Sequence, residues 1–278
     1  MRDTAVNPAP KTLYWDAAAY AANSEIQLSW ARELIERLNL QGHERVMDVG
    51  CGDGKISAEI AARLPNGSVT GVDISPQMVE FARAHHRGGT VKNLQFKVMD
   101  ARALQSPQPV DFIFSNAALH WVNDHEKFLR GASAILKTGG RLVVSCGGKG
   151  NAHDVFLAMR PILRRKQWRE FFRDLAMPYF FFPLANYQNW LKPADFQIQR
   201  LELLPVDTAY EGTTGFANWL RTTWLPYVQC VPAGLRDEFI QAVAGNFIEK
   251  HPLDAVGNVH VRMVRLEIEA VKTNPPVD

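Results

Sequence analysis

Between Arg45 and Gly54 the chain runs R-V-M-D-V-G-C-G-D-G. An apolar run of Val46, Met47 and Val49 carries one acid, Asp48, and breaks into Gly50, Gly52 and Gly54. A buried strand that ends in a glycine turn lets backbone approach a ligand closely. Residues Ile56 to Arg63 then place apolar side chains at helical spacing, so the turn opens a helix. The N–H groups of that helix start face whatever fills the turn. A strand, loop and helix of this kind predict a doubly wound sheet with a small-molecule site at the carboxyl end of the first strand.

The dinucleotide fingerprint needs its third glycine at position 55, which is Lys55. Here that glycine comes one residue earlier, and an acid stands two residues before the first. The pattern resembles motif I of class I S-adenosylmethionine (SAM) methyltransferases, D-x-G-x-G-x-G. The resemblance implies a Rossmann-like, seven-stranded, mostly parallel α/β sheet with helices on both faces and an inserted helical cap. It also implies a loop (Gly50, Cys51, Gly52, Gly54) packed on the amino-acid part of SAM, which Asp48 orients. The product would be S-adenosylhomocysteine.

The following segments repeat the theme. A strand from Ser68 to Val72 ends in Asp73, about twenty residues past the loop, where an acid can hold both ribose hydroxyls. A helix-capping aspartate is the plainer alternative. Ile74 can cover one face of the adenine, and Met78, in a helix begun by Ser75 and Pro76, returns toward the base. A third strand, Leu94 to Val98, leads to Asp100 and Ala101, placed to accept from the adenine amino group and to donate to a ring nitrogen. The fourth, Val110 to Ser115, leads to Asn116, where a strand tip approaches the methyl-bearing sulfur, and then to His120 and Trp121. That A-L-H-W turn resembles the corresponding turn of small-molecule carboxyl methyltransferases and implies acceptor contact. A loop histidine bonded to backbone is the other reading of His120. Arg141 to Cys146 is the fifth strand, after a helix from His125 to Leu136.

Outside this core, residues 1–44 read as a helical lid, with two helices joined near Asn23 and Ser24. Its W…Y…Q order resembles the lead-in of relatives of trans-aconitate methyltransferase and implies that Tyr20 and Gln27 line the site. Residues 45–150 form the cofactor-binding core, and 151–196 form a cap insertion whose basic stretch (154–175) predicts a helix or helix pair with a solvated face. A turn with Asp195 in place of the usual glycine precedes the sixth strand, 197–204. A second cap element spans 205–257, and 258–278 holds the last, antiparallel strand and the tail. By resemblance, Trp219, Arg221 and Trp224 border the acceptor, with Arg221 able to bind a carboxylate bidentately.

With 278 residues, 46% hydrophobic and 22% charged, the chain has ample core for one large domain or a core plus cap. A net charge of +2 offers no field for nucleic acid or an anionic membrane. Three cysteines without paired spacing fit a reducing compartment and no zinc site. The expectation is a cytoplasmic, monomeric or weakly dimeric SAM-dependent methyltransferase of a small molecule, most simply at a carboxylate oxygen. N-, phenol O- or C-methylation with His120 as base stays open, as does a catalytically silent SAM-binding module. An NAD-linked oxidoreductase shares the ribose acid, but the glycine spacing and Asp48 argue against it.

Overall fold

The computed structural model describes Ala17, residues 25–86 and residues 93–274, with only the helical backbone described at 25–27. Tyr20, Ser24 and the first of the two expected N-terminal helices lie outside the described residues, as does the side chain of Gln27. In chain order the elements are α1 (Glu25–Leu38), β1 (Arg45–Val49), α2 (Lys55–Ala62), β2 (Ser68–Asp73), α3 (Pro76–His85), β3 (Leu94–Val98), β4 (Val110–Asn116), α4 (His125–Ile135) and β5 (Leu136–Gly147). They continue as α5 (His153–Leu163), α6 (Leu184–Leu191), β6 (Phe196–Glu211), α7 (Gly212–Thr223), α8 (Leu225–Val228), α9 (Arg236–Lys250) and β7 (Asn258–Lys272). No helix among the described residues is long and apolar enough to cross a membrane.

The seven strands form one sheet in the order β3-β2-β1-β4-β5-β7-β6. Strands β1 to β5 pair in parallel, and β7 runs antiparallel to β5. The chain steps outward from β1 in one direction, then restarts at β4 on its other side. The carboxyl ends of β1 and β4 therefore flank the switch point, where doubly wound sheets bind ligands.

Strand alternation assigns the two apolar layers. Val46, Phe112, Phe114 and Val143 face Ala31, Leu34, Ile35 and Leu38 of α1 and Ile60 and Ala61 of α2. Met47, Val49, Ile113, Leu142 and Val144 face Phe128, Leu129 and Ala132 of α4 and Tyr187 and Leu191 of α6. Helix α1 is thus a covering layer of the sheet.

The chain forms two compact units: one holds Ala152–Pro178 and Val206–Met263, and the other holds the described residues up to Asn151 with Tyr179–Pro205 and those from Val264 onward. Residues 179–196, assigned from the sequence to the cap, belong with the sheet. Over 154–175, where the sequence predicts a helix or helix pair, α5 stops at Leu163, two residues after Pro161, and a 3₁₀ turn follows at Arg169–Phe172. Pro161 lies in the last turn of α5 and lacks the amide donor that a helix interior uses. Asp195 takes the left-handed conformation (φ 59°) that glycine would supply, which aspartate tolerates. Strand β6 runs on to Glu211, well past the expected Leu204.

Candidate active site

Strand β1 delivers Asp48 on the α2 side of the sheet, where it is 2% exposed and accepts a 2.5 Å bond from the Ser57 hydroxyl. Burial raises its pKa to about 7, opposed by the Ser57 hydrogen bond and reinforced by Asp73 and Asp53. The loop after β1 is tied to β2 by the Gly50 and Cys51 N–H groups, which both donate to the Val72 carbonyl, at 2.7 and 3.0 Å. Gly50, Gly52 and Gly54 all have positive φ (77°, 53° and 84°). A Cβ on Gly50 would lie 2.1 Å from Ala118 Cβ, so the loop is pressed against the turn that follows β4.

At the tip of β2, Asp73 accepts from the Gly52 N–H (3.0 Å) and the Ser75 N–H (2.9 Å). Burial raises its pKa, and these backbone donors pull it back. Ile74 beside it is 63% exposed, a large apolar side chain left open at a strand end. Met78 is buried in the first turn of α3, whose start is capped by the Ser75 hydroxyl. After β3, Asp100 forms a charge-assisted pair with Arg102 (2.6 Å), which also donates to Asn123, and this pairing holds the Asp100 carboxyl below the usual range. Ala101 starts the short turn between them. Arg102 does not stand out in the sequence, where its signal is only its spacing of two from the acid.

The turn after β4 places Asn116, buried at the strand tip, ahead of Ala117, which has φ 55°. Strain of this kind in a non-glycine residue persists only where neighbours impose it. They do: the Ala117 N–H donates to the Ser145 carbonyl at 2.7 Å. The Phe180 N–H donates to the His120 carbonyl at 2.8 Å, and the Gly147 N–H donates to His120 Nδ1 at 3.2 Å. Buried His125 donates from Nε2 to the Leu119 carbonyl (2.7 Å) and accepts at Nδ1 from the Tyr187 hydroxyl (2.6 Å). Burial lowers the His125 pKa to about 4, so it stays neutral at neutral pH. Neither His125 nor Tyr187 stood out in the sequence, because their partnership spans sixty residues. Tyr187→Phe should leave a buried imidazole nitrogen unpaired and cost about 1–3 kcal/mol, measurable by urea unfolding.

His120 itself is walled by aromatic rings, with Trp121 at 5.4 Å, Phe181 at 6.0 Å and Tyr179 at 6.4 Å between centroids. Burial lowers its pKa to about 3, with a further push from His125. The Gly147 N–H occupies the Nδ1 lone pair, so the neutral ring carries its proton on Nε2.

A methyltransferase-domain family matches residues 40–170. An uncharacterized methyltransferase, C70.08c of Schizosaccharomyces pombe, is 32% identical over 193 residues, covering 68% of this chain and 73% of the relative. The chain belongs to the SAM-dependent methyltransferases. The trans-aconitate 2-methyltransferase of Methylobacterium nodulans is 28% identical over 273 residues, covering 93% of this chain and 98% of that enzyme. Among solved structures, the YcgJ protein of Bacillus subtilis shares the fold, with a TM-score of 0.60 at 19% identity, covering 88% of this chain and 98% of that one.

The residues of this methyltransferase fit the cofactor. The buried Asp48 and the half-buried Asp73 at successive strand ends suit a cationic ligand, and the open Ile74 suits an aromatic base. In the unit that holds Ala152–Pro178 and Val206–Met263, Trp219 stacks on Tyr210 (5.0 Å), and Trp224 lies edge-on to Phe156 (4.7 Å). Trp224 is only 3% exposed and packs within that unit. Arg221 donates to Asn218 (2.6 Å) and pairs with Asp237 (2.7 Å).

Proposed function

We propose that this methyltransferase transfers a methyl group to a carboxylate oxygen of a small organic acid. The observation that carries this reading is the hydrogen bond on His120: with Nδ1 holding the Gly147 N–H, the neutral ring offers a donor at Nε2 and no free lone pair. A phenol, amine or carbon acid needs a base to take its proton. A carboxylate is already ionised at neutral pH and needs only a donor to hold it. His120 supplies that donor, and the flanking Trp121, Tyr179 and Phe181 rings exclude water. We assign the contact to His120 rather than to Arg221, whose guanidinium already holds Asn218 and Asp237.

When bound, SAM supplies an activated methyl group, so the protein's task is alignment. In this reading Asp48 and the Gly50–Gly54 loop hold the amino-acid end, Asp73 the ribose, and Ile74, Met78, Asp100 and Ala101 the base. Asn116 stands at the reacting end, next to the turn that carries His120. The relationship to trans-aconitate methyltransferases over 93% of the chain supports an acid as acceptor.

The test uses methyl-labelled SAM with a panel of small di- and tricarboxylic acids, phenols and amines. The expected product is a methyl ester, whose label leaves as methanol in mild base. Base-stable label would overturn the reading. His120→Ala should lower kcat/KM roughly 10- to 100-fold, the worth of one hydrogen bond to a charged group. His120→Gln, which keeps a donor, should retain most of the activity.

A further inference from the structure

We propose that Ser57 and Gly71 are positioning residues for the cofactor: the Ser57 hydroxyl, seated in space that Gly71 leaves open, aims the Asp48 carboxylate and keeps it ionised. The proposal rests on Asp48 meeting the cationic end of SAM.

The arrangement starts with register. Asp48 on β1 stands opposite Gly71 on β2 and Phe114 on β4, neither of which can pair with a charge. Helix α2 crosses the same face and brings the fully buried Ser57 over it, donating at 2.5 Å. A glycine inside a strand weakens the strand and needs a reason. The reason here is space: a Cβ on Gly71 would lie 2.9 Å from Ser57 Oγ and 2.6 Å from the Phe96 ring. Any side chain at position 71 would therefore push Ser57 away from Asp48.

The hydroxyl matters because Asp48 is otherwise poorly placed to hold a charge. Burial disfavours the carboxylate, and Asp73 and Asp53 add repulsion, while Ser57 acts in the opposite sense. Lys55 approaches Asp53 at 3.4 Å. Losing the Ser57 bond raises the Asp48 pKa further, so the carboxylate form is scarcer at any pH near 7. Binding a cation to Asp48 must then drive off a proton, and affinity falls as pH falls.

The experiment measures SAM affinity by calorimetry from pH 5.5 to 8.5 for wild type, Ser57→Ala, Ser57→Cys and Gly71→Ala, with ligand-free melting to check folding. Each variant is compared with wild type at the same pH, so titration of SAM itself cancels. A pKa rise of about one unit should make Ser57→Ala roughly tenfold weaker at pH 6.5 and nearly equal to wild type at pH 8.5. Ser57→Cys, a weaker donor, should fall between, and Gly71→Ala should follow Ser57→Ala. A loss equal at every pH, or no loss, would overturn the proposal. Asp48→Asn is the separate control: retention of wild-type affinity and pH profile would remove Asp48 from the cofactor site.

Discussion

Asp73→Ala is expected to weaken SAM binding at least a hundredfold while the chain still folds. The carboxylate has two duties. One is the proposed ribose contact, which would be made with charge-assisted bonds worth about 1.5–3 kcal/mol each. The other is visible in the loop, where Asp73 accepts from both the Gly52 and Ser75 N–H groups. Two bonds to ribose give about 3 kcal/mol or more, which is roughly a hundredfold in affinity. Release of the Gly52 N–H adds to this by loosening the glycine turn. Calorimetric titration with SAM checks the outcome, with circular dichroism to verify the fold. Unchanged affinity would remove the ribose assignment.

Gly50→Ala should be equally severe for a different reason. A side chain at φ 77° is strained by about 1–2 kcal/mol. The new Cβ would also fall 2.1 Å from Ala118 Cβ, less than any real contact, so the loop or the turn must move. The turn carries His120 two residues on, and displacement of reacting groups by 1 Å can cost about a hundredfold in rate. We expect kcat/KM to fall by about that factor. The double variant Gly50→Ala/Ala118→Gly removes the clash but keeps the strain, and should recover part of the loss. Wild-type kcat/KM in the single variant would show that the contact does not constrain the site.

How far the site was legible in the sequence follows from range. The Asp48 loop, Asp73, Asp100 and Asn116 each lie at the end of an apolar run, so strand periodicity alone places them at strand ends. The parallel order of β1 to β5 follows from the same alternation of strand and helix. The bounds of β5 and β6 did not, because Lys137 to Gly140 and the Pro205 to Glu211 stretch carry turn-like or polar residues that the sheet tolerates. What escaped altogether were partnerships between distant side chains. Ser57 looks like a neutral helix residue until Gly71 is seen opposite Asp48. The Gly147 N–H on His120 Nδ1 is equally invisible in the sequence. So is the burial of Trp224 against Phe156.

The sheet's connectivity has a consequence for how the chain is made. Strands β1 to β5 are complete once Gly147 is synthesised, but the partner of β5 is β7, whose Arg265 pairs with that same Gly147. More than one hundred residues must be translated in the interval, about 5–25 s at ~5–20 residues per second. Throughout that time the nascent chain presents an unpaired, strongly apolar edge, with Leu142, Val143 and Val144 along it. Variants that slow the arrival of β7, or weaken its Leu266 and Ile268 contacts, should therefore lower soluble yield more than they lower the stability of the finished protein.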